Sequence, residues 1–547
     1  MLGKRSAQHS LFEPLMFPHR VPEDSFYGRM GQVIDVLFRD EELAEMYCLD
    51  NGRRSLPPSI MSGVILLQFH DNVSDAEAVQ KLLFDMRWKV ALRVALDFGA
   101  FDSSSLSVFR KRLHLHGKER YAFDRMVEAG REAGLLPPRV ETLIDSTHML
   151  GAAATEDTYT LIRHAMRKLL RAMGYHLPQQ RKKLAKKLEC YLDRKYKPRI
   201  DWSNPGARKE HLQELVDQAH SVLELALEQT EDEEVRGLGW MLTKIIGDDI
   251  SFDEKGQAEI AQGVAKDRIV SVTDPTLRHG RKSSSQRFDG PKLHVVEEPS
   301  SEFLLNLGVG AGNEYDGKEF HPMIGGVEDH HDMKVVASTG DGAYGSGDNR
   351  AECAARGIDL ISHLAEPHKG LGKSQFHIDL EKMQVTCPEG HTTSQWNWAK
   401  DQKGRKVRRF QFPTEGCLNC PRHQECVGER KRGRRIILHY HEAYLIAARE
   451  RQKTEAFQEA YRERSKVERK IAELVSHGLR QARYIGTEKT ELQALWTGAV
   501  VNLKRLFKLA DGKGIRLREV ADRLSACGDQ TTFLQQLRSI GELCPVG

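Results

Sequence analysis

Two runs of β-branched and aliphatic residues, far apart in the chain, each stop at an aspartate, and no other feature constrains the fold as strongly. The first reads Val140-Glu-Thr-Leu-Ile-Asp145-Ser-Thr-His148 and the second Lys334-Val-Val-Ala-Ser-Thr-Gly-Asp341-Gly-Ala-Tyr344. Short apolar runs of this composition, bounded by turn residues, predict buried strands. An acid at the C-terminal edge of such a strand lies where α/β sheets gather their polar chemistry. Residues 268–273 also read as a strand, 292–296 with 303–307 as a hairpin, and 316–327 as a helix. A helix from Asn349 ending at Gly357 and a strand over 358–361 complete the series. Strands, helix, strand, helix, strand predict an α/β layer architecture with a mixed sheet.

The 547 residues are enough for several domains. Residues 1–135 form an N-terminal helical domain: Val33, Val36, Leu37 and Leu43 recur at helical spacing, and Pro57-Pro58 opens a helix through Ile60, Val64 and Leu67. Ser74 and Glu77 have the spacing of a capping box. A helix after Asp102 ends in Arg110, Lys111 and Arg112. Two readings of it stand: a recognition element in a DNA groove, or a plain bundle whose Arg and Lys are solvated. The core parts are 136–154, 266–370 and 443–510. They are interrupted by a charged helical insertion over 155–265 and a cysteine-containing basic insertion over 371–442, and 511–547 is a peripheral tail. The helical insertion carries a basic run, Arg181 to Lys183 with Lys186 and Lys187.

A third acid joins the two aspartates. Val467, Ile471 and Leu474 predict a helix, and Tyr461, Arg464 and Glu468, spaced three and then four apart, share one of its faces. Taken singly, Asp145 reads as a strand-end turn residue, Asp341 as an Asp-Gly turn and Glu468 as a solvated charge. Taken together they are hard oxygen ligands suited to Mg²⁺ or Mn²⁺. A pair of such ions serves in-line displacement at phosphorus. Nine cysteines, four of them in one short region, point to a metal site rather than disulfides. Cys417 and Cys420 form a C-x2-C half-site, and Cys426 and Cys387 complete a tetrahedral zinc set, with His391 and His423 as substitutes. Four reduced, unliganded thiols are the other reading.

Hydrophobic residues at 39% and charged residues at 29% suit a globular protein, and the net charge of +4 does not by itself announce nucleic acid. The longest apolar run, 60–69, is broken by Ser62 and Gly63, so no membrane span is expected. The first residues lack an apolar signal core, and a cytoplasmic, nucleoid-associated protein is expected.

The acids and their neighbours resemble the DDE transposases of bacterial insertion sequences. Leu143-Ile-Asp145-Ser-Thr matches that family's first acid, Gly340-Asp341-Gly-Ala-Tyr344 its second, and Tyr461, Arg464 and Glu468 its helical signature. His477-Gly-Leu-Arg480, Arg483-Tyr-Ile-Gly486 and Asn502-Leu-Lys504-Arg505 resemble the segments after the glutamate. The family's signature ends in a lysine seven residues past the glutamate, whereas position 475 here is Val. The resemblance extends to residues 26–113 and implies an RNase H-like core with a two-metal acid triad and a helical N-terminal domain; the basic cluster of that domain, Arg110, Lys111 and Arg112, is expected on DNA from its place at the end of a short helix. Tyr461 and Arg464 are expected beside the DNA. It implies binding to the terminal inverted repeats, strand cleavage, 3′-end transfer into target DNA, and a homodimer or larger assembly on paired ends. A silent DNA-binding regulator, or an RNase H-like nuclease without strand transfer, are the alternatives.

Overall fold

The computed structural model describes residues 20–48, 54–99, 101–174, 188–193, 196–227, 231–283, 285–364, 370–520 and 523–524. The basic run at 181–187 and nearly all of the tail beyond 520 lie outside the described residues. At the centre is a five-stranded sheet of β1 (Arg139–His148), β2 (Lys292–Glu297), β3 (Leu304–Gly310), β4 (Lys334–Gly340) and β5 (Asp359–Ile361), in the order β3-β2-β1-β4-β5. The first three strands pair antiparallel, while β4 and β5 run parallel to β1. This is the mixed α/β sheet of an RNase H-like core. Residues 268–273 are not a strand. The Val270 carbonyl accepts from the Glu156 N–H, the Val272 N–H donates to the Glu156 carboxylate, and Ile269 and Val272 fill the core of the helical insertion. Their β-branched character therefore serves burial, not pairing.

The N-terminal helices are α1 (Phe26–Leu37), α2 (Pro58–Asp71), α3 (Asp75–Phe84), α4 (Met86–Leu92), α5 (Ser104–Leu115) and α6 (Tyr121–Glu132). Pro57 precedes α2, and both bonds of the Ser74–Glu77 capping box are present at the start of α3. Every residue of α2 from Pro58 to Phe69 is buried, as befits a helix that is apolar all round. The helical region is not a separate globule: its buried side chains and those of the sheet form one continuous core.

The helical insertion has a core of its own, built by α7 (Thr158–Met173), α8 (Pro205–Leu227) and α9 (Glu233–Asp249). Two helices flank the later strands, α10 (Phe320–His331) and α11 (Gly347–Arg356), the latter closed by Gly357. Next comes a small lobe of two three-stranded sheets. One is β6 (His377–Asp379), β7 (Gln384–Thr386) and β8 (Thr392–Thr393); the other is β9 (Trp396–Lys400), β10 (Lys406–Gln411) and β11 (Arg435–Ile437). The chain then returns through α12 (Glu442–Arg451), α13 (Glu455–Arg462), α14 (Ser465–Leu474) and α15 (Thr487–Gly512). Helix α15 is the post on which the two halves meet, packing against α2, α6 and β3. Its Asn502 side chain accepts from the Leu304 N–H and donates to the Leu304 carbonyl, both at 2.8 Å, so a buried amide is satisfied and β3 is held to the helix.

Candidate active site

The register of the central strands brings the two aspartates together. Ile144 of β1 is the partner of Gly340 of β4, so Asp145 and Asp341 come next on adjacent parallel strands, which lie about 4.8 Å apart. Glycine is needed at position 340: a Cβ there would stand 2.8 Å from the Tyr344 ring and 2.9 Å from Ile144. Its absence lets Tyr344 fold fully buried beneath the turn that carries Asp341. Asp145 is itself buried, with one oxygen accepting from the Ser146 N–H at 2.8 Å and the other from Arg464 Nη2 at 2.9 Å.

The third acid arrives on α14, but not within one helix beginning at Tyr461. The chain turns tightly at Glu463–Arg464, and the Arg464 N–H donates to the Tyr461 carbonyl at 3.1 Å. The apolar stripe of α14, with Val467 and Leu474 buried, does not continue into α13, whose only buried residue is Phe457. No single packed face runs through both, and the helix breaks. Arg464 consequently stands at the head of α14, where its Nη1 donates to Glu468 at 2.9 Å while Nη2 holds Asp145. Tyr461, on the preceding helix, packs its ring 4.2 Å from His363, just beyond β5. After Leu474 the helix widens into one turn over Val475–Leu479 that is kinked at Gly478, whose φ of 94° suits glycine.

The three acids and Arg464 form one electrostatic cluster. Burial pushes the Asp145 carboxyl up to about 6; Arg464 and the Ser146 N–H hold it down, while Asp341 and Glu468 push it further up. Burial works against the Arg464 charge, but Asp145, Tyr461, Glu468 and Asp341 outweigh it and hold the group above its ordinary range. Among the described residues no three His, Cys, Asp or Glu side chains stand in metal-ligating geometry; in this arrangement the guanidinium bridges Asp145 and Glu468. The donor set nevertheless fits a hard cation, since it is all carboxylate oxygen and its members repel one another.

Asp316 is a neighbour the sequence pattern did not single out. It accepts from Ser146 Oγ at 2.9 Å and from Lys292 Nζ at 2.6 Å, and so braces the strand end that bears Asp145. Only its place at the start of a helix was visible in the sequence. Neither Lys292 nor His363 carries a local signal, because each is placed by the sheet.

In the lobe, Cys387, Cys417, Cys420 and Cys426 are free thiols that line one cavity of about 150 Å³ together with His391 and His423. The Arg434 N–H donates to Cys417 Sγ at 3.4 Å, and His423 Nδ1 lies 2.8 Å from the Cys417 carbonyl oxygen. Burial pushes the Cys426 thiol up, and the three other cysteines add to it, so all four bear on one another. The soft donor set suits zinc, although the thiols are not drawn into ligating geometry.

The expectation that Arg110 meets DNA does not match its placement. Arg110 is buried, its guanidinium forks onto Asp75, and it lies 5.1 Å from the Tyr484 ring. Arg112 stacks on Tyr47 at 4.5 Å, and Lys111 is exposed.

A mixed sheet of this order, with acids at the ends of its first and fourth strands and a glutamate helix beside them, defines an RNase H-like α/β protein. Comparison with known families narrows the class: residues 386–507 match a transposase DDE domain, and residues 16–112 match a transposase domain of otherwise unassigned role. The matches support a DDE transposase of an insertion sequence. The first match spans the lobe from the end of β7 onward, Glu468 and most of α15, while Asp145 and Asp341 lie outside both. No curated protein matches the chain. Among the described residues no helix is long and apolar enough to cross a membrane.

Proposed function

We propose that this transposase binds the terminal inverted repeats of its own element, cleaves the DNA strands there and joins the 3′ ends to target DNA, working as a dimer or larger assembly on paired ends. The observation that carries the reading is Arg464, which ties Asp145 on the sheet to Glu468 on α14 with 2.9 Å bonds to each while Asp341 stands on the adjacent strand. Asp145, Asp341 and Glu468 would hold Mg²⁺ or Mn²⁺, which when bound supplies activation of the attacking oxygen and stabilisation of the leaving oxygen. The chain's own groups do the positioning. Arg464 sets the helix acid against the sheet acid, and Asp316, itself held by Lys292, accepts from the hydroxyl of Ser146, whose N–H orients the Asp145 carboxylate. Tyr461, braced by His363, covers the same cluster.

The test is cleavage of a labelled element end beside a gel shift on the same DNA, with Mg²⁺ or Mn²⁺ supplied. Asp145→Ala, Asp341→Ala and Glu468→Ala should each abolish most of the cleavage and leave end binding nearly intact. Full cleavage by Glu468→Ala, or equal loss of binding and cutting in all three, would overturn the assignment. Cleavage without joining would leave an RNase H-like nuclease.

A further inference from the structure

We propose that the exposed part of the β9-β10 hairpin around Trp396, Trp398 and Arg408 is a stacking platform for single-stranded DNA, an inference that rests on the chain being a DNA-processing enzyme. Cross-strand partners point to one face of a sheet, and Trp398 pairs with Arg408 while Lys400 pairs with Lys406. Trp396, two residues from Trp398, shares that face. The Trp398 side is 56% exposed and Trp396 37%. Their rings lie 5.2 Å apart and nearly perpendicular, with the Arg408 guanidinium 5.2 and 5.4 Å from the two. Beyond the sheet, Tyr440 is 60% exposed under Arg405 at 5.0 Å. Trp398, Arg408 and Tyr440 line a groove of about 440 Å³.

Folding does not account for these side chains. The lobe's core is supplied by residues such as Val385, Phe410 and Ile436; Phe410, the cross-strand partner of Trp396, buries the β11 side of this face, and the two indoles stand outside that core. Lys400 and Lys406 face each other directly, a like-charge pair that destabilises an isolated sheet. Arg405, at the turn of the hairpin, is ion-paired to Asp348 and Asp401, whereas among the described residues Lys400, Lys406 and Arg408 have no carboxylate partner. Ring faces beside unneutralised cations suit a polyanion with unpaired bases, because stacking needs the base faces that a duplex hides. An acidic protein would meet the cations but leave the rings without partners. The sheet is also tied to α11: Arg405 forks onto Asp348 at 2.7 and 3.3 Å, and the His439 ring lies where a Cβ on Gly347 would be 2.5 Å away. Gly347 begins α11, the helix after the Asp341 turn.

The experiment titrates the full chain into a fluorescent oligothymidine of about 15 nucleotides, long enough for typical single-strand sites, and into an abasic oligomer of equal length. Oligothymidine should bind the wild type and quench its tryptophan emission, and the abasic strand should bind roughly 10-fold or more weakly, the worth of lost stacking. Trp396→Ala with Trp398→Ala should erase that difference, while Trp398→Phe should keep much of it with unchanged circular dichroism. Equal affinity for both oligomers, no binding at all, or an unaltered preference in the double alanine variant would overturn the platform. Cleavage activity is read in parallel: an intact cutter without base preference sinks the platform alone, whereas base-preferring binding by a chain that never cuts sinks the transposase reading.

Discussion

Glu297 offers a direct test of how the glutamate helix is seated. It lies on β2, opposite Leu143 of β1, is fully buried, and neither carboxyl oxygen has a hydrogen-bond partner among the described residues. Burial pushes its carboxyl up to about 7; Lys470, on α14 two residues past Glu468, opposes that rise, and Glu302 adds to it. The folded chain therefore holds this proton more tightly than the unfolded chain does. Stability from this group is fully present below the ordinary value of 4.5 and is lost as the pH climbs through about 7. At about 1.4 kcal/mol per pH unit of separation, the loss by pH 8 is roughly 3 kcal/mol. Glu297→Gln keeps the shape and removes the titration. It should match the wild type near pH 4 and exceed it in stability at pH 8 by up to that amount, less whatever Lys470 loses as its counter-charge disappears. Urea unfolding followed by circular dichroism at intervals from pH 4 to pH 8 measures both. A difference that stays constant across the range, or a variant less stable at pH 8, would refute the burial of an uncompensated acid behind α14.

Freshly prepared, reduced protein should contain stoichiometric zinc, lost on Cys417→Ser or Cys420→Ser while the central sheet stays folded; clearly substoichiometric metal in the wild type counts against the site. Arg110→Met should cost roughly 1–3 kcal/mol, because it removes a buried guanidinium from the half-buried Asp75 carboxylate, whereas Lys111→Ala should leave stability unchanged and weaken DNA binding most at low salt. An Arg110→Met chain as stable as the wild type in urea unfolding would remove the structural role given to that arginine.

What was legible in the sequence, and what was not, divides along the distance over which a residue's partner is found. Strands β1 and β4 could be read because the stretches that lead into the acids, 142–145 and 338–340, are buried on both faces and the runs end abruptly; once they pair in parallel, the two aspartates are neighbours by register alone. The capping box could be read because both of its bonds are local. Arg110 looked like part of a solvated basic helix end because Asp75, which takes its charge, is on another helix. The segment 268–273 has the composition of a strand, but composition cannot say whether Ile269 and Val272 will face a sheet or a helical core. The break after Arg462 carries no proline or glycine, so only the mismatch of the two helices' packed faces produces it. Arg464 combines both cases. Its spacing to Glu468 reads as an ordinary i,i+4 pair, worth a few tenths of a kcal/mol on an exposed helix. Its second contact, to an aspartate 319 residues earlier, turns the same side chain into the joint between sheet and helix. The three acids thus belong to three local patterns; sheet register pairs the two aspartates, and the bond that joins the helix acid to the sheet acid comes from one arginine whose second partner no local pattern contains.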